Sequence, residues 1–497
     1  MSPPARDLLA LAALAAGLTA FKAWLTAAAG VDLHFDEAQY WTWSRHLDWG
    51  YYSKGPLVAW AMAAAEALLG GEAPWQLRLP AWLGHGLWLA ALYGLAWELW
   101  GRRAAAWWAV ALGLASPLHF TLGLVHTTDV WVLLAWTAAL WALARAVGRG
   151  EGRGWLLAGV AVGVGALAKL SVGLLPALAG LALLARPAWR PWLRRPEPWL
   201  AAALVLLLMA PMLAWNAAHG WVMLRHELGH LSGGGGGGGE GEPSLPPPLR
   251  FLLEQALALS PPVAVALAAA LGRPPAGEAR RLVWWVSVGT LAFFLVKALG
   301  GKVQVNWPAP AYAGAFALLA GRLPVWTAAW RRTVLAGFAL GVVALAVAYF
   351  PPLAGFDPAR APFKEVRGWR GAVEAMAAQA PPVDFLLAPN YKTASEAAYY
   401  WPRPGGAPVR VYVLPGPHRR RNQFDLWPGL EREAGRDGLW LSTVGGPPEA
   451  VRAAFAGGCR DLPPVEGRDP WGGVVRRLHG AHCRGYRPVP WPEPAGY

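Results

Sequence analysis

Long apolar runs separated by short arginine clusters are the feature that most constrains what this chain can fold into. Segments 8–30, 80–100, 104–122, 130–147, 155–168, 171–185, 199–215, 251–271, 282–299, 309–321 and 333–350 are predominantly apolar. A helix needs about 20 such residues to cross a hydrocarbon core. Segments 155–168, 171–185 and 309–321 are short for that task, and the glycines and prolines within them are tolerable in a packed bundle. Charge alternates between the runs. Arg102 and Arg103, then Arg145, Arg149 and Arg153, then Arg186, Arg190, Arg194 and Arg195 fall in every second connection, followed by Arg273, Arg280 and Arg281 and by Arg322, Arg331 and Arg332. The intervening turns carry little: TLGLVHTTD has no Lys or Arg, and the turns at Lys169 and Lys302 have one each. Because cytoplasmic loops concentrate Lys and Arg, eleven spans are expected, with the N-terminus inside and the C-terminus outside.

Composition agrees with that reading. Charged residues make up 15% of the chain, against about 25% in a soluble domain, and the mean hydropathy is +0.30. The 32 tryptophans suit a protein with much water–lipid interface. A net charge of +14 would suggest nucleic acid in a soluble protein. Here the arginines are topology signals, and no nucleic-acid partner is expected. The apolar run behind MSPPARDLLALAALAAGL is too long for a secretory h-region and reads as a retained first helix.

The expected architecture is a polytopic all-α transmembrane bundle of about 11 spans over residues 1–350, with an outer loop at 31–79. Residues 351–497 change character. Short β-type runs, VDFLLAPNY, VRVYVLP, GLWLSTV and GGVVRRL, alternate with helical stretches such as GWRGAVEAMAAQ and PPEAVRAAFAGG. This pattern predicts a small α/β domain outside the cytoplasm. Cys459 and Cys483 both lie there, and an oxidising compartment favours a disulfide between them. The glycine run 233–239 reads as a slack linker in an outer loop.

The side chains able to carry chemistry gather on the expected outer face. The stretch HFDEAQYWTWSRHLDWGYYSKGP, from His34 to Pro56, holds Asp36 and Glu37, adjacent carboxylates that can take a proton from an acceptor or position a metal. Asp36 with Gln39 three residues later equally resembles a capping box, and Trp41, Trp43, Tyr51 and Tyr52 equally form an aromatic belt. Lys54 is suited to an anionic head group such as a phosphate, or to snorkelling as an anchor. Asp129 stands where HTTD meets an apolar run. An acid there is a functional candidate by default, or else the helix N-cap.

HELGH, His226 to His230, matches HExxH, in which two histidines bind zinc and Glu227 serves as general base. The glycine run close behind it, the lack of a third ligand segment and its position outside the spans weigh against a membrane protease. His226 or His230 then remains as a single metal ligand or substrate contact. Gly163 and Gly165 lie in a span and serve close helix approach rather than dinucleotide binding.

Taken in order, HxDEAQYW, WGYYSKGP, HTTD, NAAHGWVMLRH, KVQVNWPAPAY, YKTASEAAYYWP and RRNQFDLWPG cover nearly the whole chain. The set resembles bacterial glycosyltransferase family 39, membrane enzymes of the GT-C class related to protein mannosyltransferases and to the lipid A aminoarabinose transferase. The resemblance implies a polytopic protein of the bacterial inner membrane, a polyprenyl-phosphate sugar donor, and transfer on the periplasmic face to a lipid, glycan or protein acceptor. It implies catalytic acids at Asp36 and Asp129, with Glu37 beside them, and a phosphate contact at Lys54. Tyr51, Tyr52, Lys302, Asn306 and Tyr312 are the further substrate-binding residues expected. No cofactor is certain. A divalent metal is possible, with His226 as its ligand, but Ser53 stands where relatives carry a glutamate, and Gly55 where they usually have a second proline. A lipid-linked sugar flippase would use the same phosphate lysines without needing a base.

Overall fold

Each expected apolar segment falls on helix in the computed structural model, which describes residues 4–231, 245–301, 303–357, 364–403, 408–416, 419, 421–492 and 494. The glycine run 233–239 lies outside the described residues. Among the described residues five helices are long and apolar enough to cross a membrane: Ala5–Ala28, Thr128–Arg149, Pro196–Ala218, Glu278–Leu299 and Ala328–Tyr349. The segment expected as one span at 251–271 is instead two helices, Pro247–Leu259 and Pro261–Leu271, bent by 110°. The bend sits at Ser260, whose φ is 71°, and Pro261 removes the N–H that would continue the first helix. The segment at 104–122 also breaks, at Ser116 ahead of Pro117. Helices Arg153–Ala166 and Ala309–Arg322 have 14 residues each, or about 21 Å at 1.5 Å per residue.

The described residues form two compact units, the first holding residues up to Lys22, Lys54–Val58 and Arg78–Leu345. It is a helical bundle. Helix Arg153–Ala166 packs on Thr128–Arg149 and on Pro196–Ala218, and its glycines allow the approach. A Cβ on Gly159 would come 2.6 Å from the Ala201 carbonyl oxygen, and one on Gly163 2.6 Å from Leu208. A Cβ on Gly165 would come equally close to Ala135. Several arginines that mark topology are also paired: Arg103 with the buried Asp7 at 2.7 Å, and Arg145 with Glu151 at 3.0 Å.

The second unit holds Ala23–Ser53, Ala59–Leu77 and the residues from Ala346 onward. It carries a five-stranded sheet of β1 (Phe385–Ala388), β2 (Arg410–Val413), β3 (Gly438–Ser442), β4 (Cys459–Arg468) and β5 (Val474–Cys483), in the order β2-β1-β3-β5-β4. The strands β2, β1 and β3 run parallel, while β5 is antiparallel to both β3 and β4. Phe385, Leu387, Trp440, Phe455 and Tyr486 fill the core beside it. Cys459 and Cys483 are directly opposite on β4 and β5 and are disulfide-bonded.

The residues of the opening loop are integral to this second unit. Helix Phe35–Ser44 packs on helix Tyr391–Tyr400, with Trp41 edge-on to Tyr399 at 5.2 Å. Leu33 N–H donates to the Tyr400 hydroxyl (2.8 Å), and Asp32 Oδ2 accepts from Trp369 N–H (2.8 Å), capping helix Trp369–Gln379. Tyr52 N–H donates to Gln423 Oε1 at 2.7 Å.

Candidate active site

Asp129 is the second residue of helix Thr128–Arg149, and the N-cap is Thr127, whose hydroxyl accepts from Asp129 N–H at 3.4 Å. The cap reading of Asp129 therefore gives way, because the Thr127 hydroxyl two residues earlier does that work. The Asp129 carboxylate is left for side chains. Lys169 Nζ donates to Oδ1 and Asn306 Nδ2 to Oδ2, both at 2.9 Å. Lys169 stands in extended backbone just after helix Arg153–Ala166, ahead of a 3-10 turn at Leu170–Gly173. Its side chain and that of Asp129 are 11% and 15% exposed, so the pair is largely withdrawn from water.

Lys54 belongs to the same unit. Its place is fixed by its neighbour: Leu57 N–H donates to the Leu167 carbonyl oxygen (3.0 Å), and a Cβ on Gly55 would come 2.1 Å from that oxygen. Only glycine permits so close a backbone contact, which accounts for the residue at 55. Lys54 Nζ donates to Glu227 Oε1 at 2.6 Å. Glu227 lies on the short helix Val222–Leu231, which carries the whole HELGH motif. Burial opposes ionisation of Glu227, but the Lys54 ammonium, its hydrogen bond and the Lys169 charge prevail and hold the carboxyl down at about 2. Two lysines and two carboxylates thus form one electrostatic cluster with Asn306.

Asp36 and Glu37 share a dipeptide but not an environment. Helix Phe35–Ser44 is capped by His34, not by Asp36 with Gln39 as the sequence suggested. His34 Nδ1 accepts from Asp36 N–H at 3.2 Å, and Glu37 Oε2 accepts from His34 N–H at 2.9 Å. This is a capping box with histidine in the serine position. Glu37 is fully buried in it, which gives that expected catalytic acid a structural task. The Asp36 carboxylate is 32% exposed, 3.7 Å from His34 Nδ1.

Tyr51, expected to touch substrate, is 1% exposed. It stacks on Trp43 at 4.5 Å, and its hydroxyl lies 3.1 Å from the carbonyl oxygens of both Trp43 and His46, so it closes the loop. Tyr52 is equally buried. Tyr312 is interior too, donating to Gln255 Oε1 at 2.8 Å. Lys302 and the His230 side chain lie outside the described residues. His226 is half-buried beside Glu227 on its helix. Among the described residues no group of three or more His, Cys, Asp or Glu side chains gathers to hold a metal, and Glu227 is committed to Lys54.

Two members of the cluster were not legible as such. Lys169 reads in sequence only as one charge in a sparse turn, and Glu227 only through HExxH. Lysines outside the arginine-rich connections were the available signal for both, since the second pairs with Lys54.

Comparison with known proteins shows what the chain is similar to. Residues 53–215 match the model of the dolichyl-phosphate-mannose-protein mannosyltransferase family. Lipid A galacturonosyltransferase RgtD of Rhizobium johnstonii is 29% identical over 286 residues, 56% of this chain and 58% of that protein, so the match spans little more than half of the relative's length. Crystal structures of ArnT from Cupriavidus metallidurans share the fold. The form bound to undecaprenyl phosphate has a TM-score of 0.66 at 16% identity, covering 97% of this chain and 98% of that one. The apo form has a TM-score of 0.63 at 15% identity, with 95% and 97% covered. Residues 53–215 are thus similar to the dolichyl-phosphate-mannose-protein mannosyltransferase family, and the chain as a whole shares the fold of the two ArnT structures.

Proposed function

We propose that this protein moves a sugar from a polyprenyl-phosphate carrier to an acceptor, at the outer face of the bacterial inner membrane, by a single inverting displacement. The observation that carries the reading is the paired-lysine cluster. Lys54 and Lys169 are held largely out of water at the ends of apolar helices, where an anionic lipid head group would arrive. The Cupriavidus protein's bound undecaprenyl phosphate supports a carrier of that class. The Rhizobium relative's activity on lipid A supports a glycolipid acceptor.

In this mechanism the lysines neutralise the donor phosphate as it becomes the leaving group, the step where fixed cations contribute most. Asp129 and Asn306 act as positioning residues that keep Lys169 in place. Asp36, the carboxylate left outside the capping box, takes the proton from the acceptor hydroxyl. The hydroxyl oxygen attacks the anomeric carbon, the bond from that carbon to the phosphate oxygen breaks, and its electron pair leaves with polyprenyl phosphate. One displacement inverts the anomeric centre. By the positive-inside rule we assign the disulfide-bonded domain and the 31–79 loop to the periplasmic side.

The test is release of polyprenyl phosphate by purified protein given lipid-linked sugar and acceptor. Asp36→Asn should lower turnover by on the order of 10²–10⁴-fold, the usual reach of a general base, while insertion and thermal stability stay as in the wild type. Near-normal turnover in that variant removes Asp36 from the mechanism. Movement of the lipid-linked sugar across a bilayer without any release would make the protein a flippase instead.

A further inference from the structure

Glu227 has no part in the mechanism above, yet it occupies the Lys54 ammonium at 2.6 Å. The two side chains are 17% and 20% exposed, so little water is present to screen a second anion. A phosphate seated on Lys54 beside this carboxylate would meet a like charge at contact distance in a poorly screened site. Phosphate and carboxylate therefore compete for one ammonium.

The element that carries Glu227 is suited to giving way. Helix Val222–Leu231 is ten residues long and is separate from the spans. It joins helix Pro196–Ala218 through Gly220 and Trp221, whose φ angles are both positive, 67° and 60°. A tryptophan in that region is strained, and such strain gathers where a segment has more than one arrangement. The joint is held by Asn216, whose carbonyl oxygen accepts from Trp221 N–H (2.7 Å) and whose Oδ1 accepts from Met223 N–H (3.1 Å).

We infer that Glu227 is an internal counter-anion that sits in the phosphate seat of Lys54 and is exchanged for the phosphate of an incoming polyprenyl-phosphate ligand. Glu227 thereby sets the affinity for the carrier. It keeps Lys54 ordered and neutralised when no lipid is bound, and it weakens binding by the free energy of breaking the pair. The same competition hastens departure of the spent carrier, since the carboxylate returns to the lysine as the phosphate leaves. This rests on the carrier class proposed above.

The experiment measures binding of undecaprenyl phosphate to the full-length protein in nanodiscs. Glu227→Gln should bind about tenfold tighter, equivalent to about 1.4 kcal/mol, and Glu227→Asp, with its carboxylate drawn back, should gain less. Combining Glu227→Gln with Lys54→Gln should erase the gain. Undecaprenol, which lacks the phosphate, should bind all variants alike; a gain for undecaprenol too would show a loosened groove and overturn the exchange. Equal or weaker phosphate binding by both Glu227 variants overturns the exchange alone, leaving the carrier reading intact. A wild-type protein that binds no undecaprenyl phosphate overturns both.

Discussion

The two lysine–carboxylate pairs of the helical unit have the same chemistry and different construction. Asp129 stands on a long span, capped by Thr127, and receives both Lys169 and Asn306. Glu227 stands on a ten-residue helix and receives Lys54. The first pair is fixed by several elements at once, so its geometry survives a change of ligand. The second has its lysine fixed, by the Gly55 contact, and its acid on an adjustable element. A buried ion pair is weak evidence for stability but good evidence for specified position. On the exchange inferred above, the first position is permanent and the second provisional.

The comparison breaks most sharply at Asp129. Asp129→Ala leaves Lys169 withdrawn from water without its acid, and should cost about 3 kcal/mol of stability, read as a large fall in the thermal midpoint in detergent. Glu227→Ala should cost less, because the short helix that carries residue 227 can shift to let water reach Lys54. Equal losses would show that the two pairs are built alike. Gly55→Ala tests the fixed side of the second pair. Its Cβ meets the Leu167 oxygen, so the loop must shift, costing about 1–3 kcal/mol and weakening phosphate binding together with stability. The smallest effect is in pH. The Glu227 carboxyl is lowered from 4.5 to about 2, so its contribution is present in full above the unfolded value and is lost as pH falls through about 2. Between pH 5 and 8, the stability difference between wild type and Glu227→Gln should be flat. A difference that changes across that range would mean the pair is not formed as described.

How much of this was legible in sequence depends on whether a signal was local. The apolar runs, four of the five strands and the Cys459–Cys483 bond all followed from local pattern. Strand β4 did not, because Pro463 and Pro464 argue against a ladder. Both sit on an edge strand, beside a shift of register between Leu462 and Val465, where missing donors are tolerated. The bend at Ser260 was signalled by the two prolines after it, but continuous apolarity hid it. Asp36, Asp129, Lys54 and Asn306 were singled out from sequence, whereas the pairing of Lys169 with Asp129 and of Lys54 with Glu227 was not. Lys169 lies 40 residues from Asp129, and Glu227 lies 173 from Lys54, and no periodicity links such distances. The capping box was missed because histidine is an unusual cap, although its ring nitrogen accepts as a hydroxyl does.

Among the described residues the sheet of the second unit ends at β2 and at β4, and neither edge invites a foreign strand. The edge at β2 is only four residues long, too short to template a stable pairing. The edge at β4 is ten residues long and mostly exposed, the kind that recruits other chains into aggregates. Its two prolines withhold donors, its bulge bends the ladder, and the disulfide pins one end to β5. A domain so finished can stand among crowded, partly folded neighbours without becoming a seed for their association.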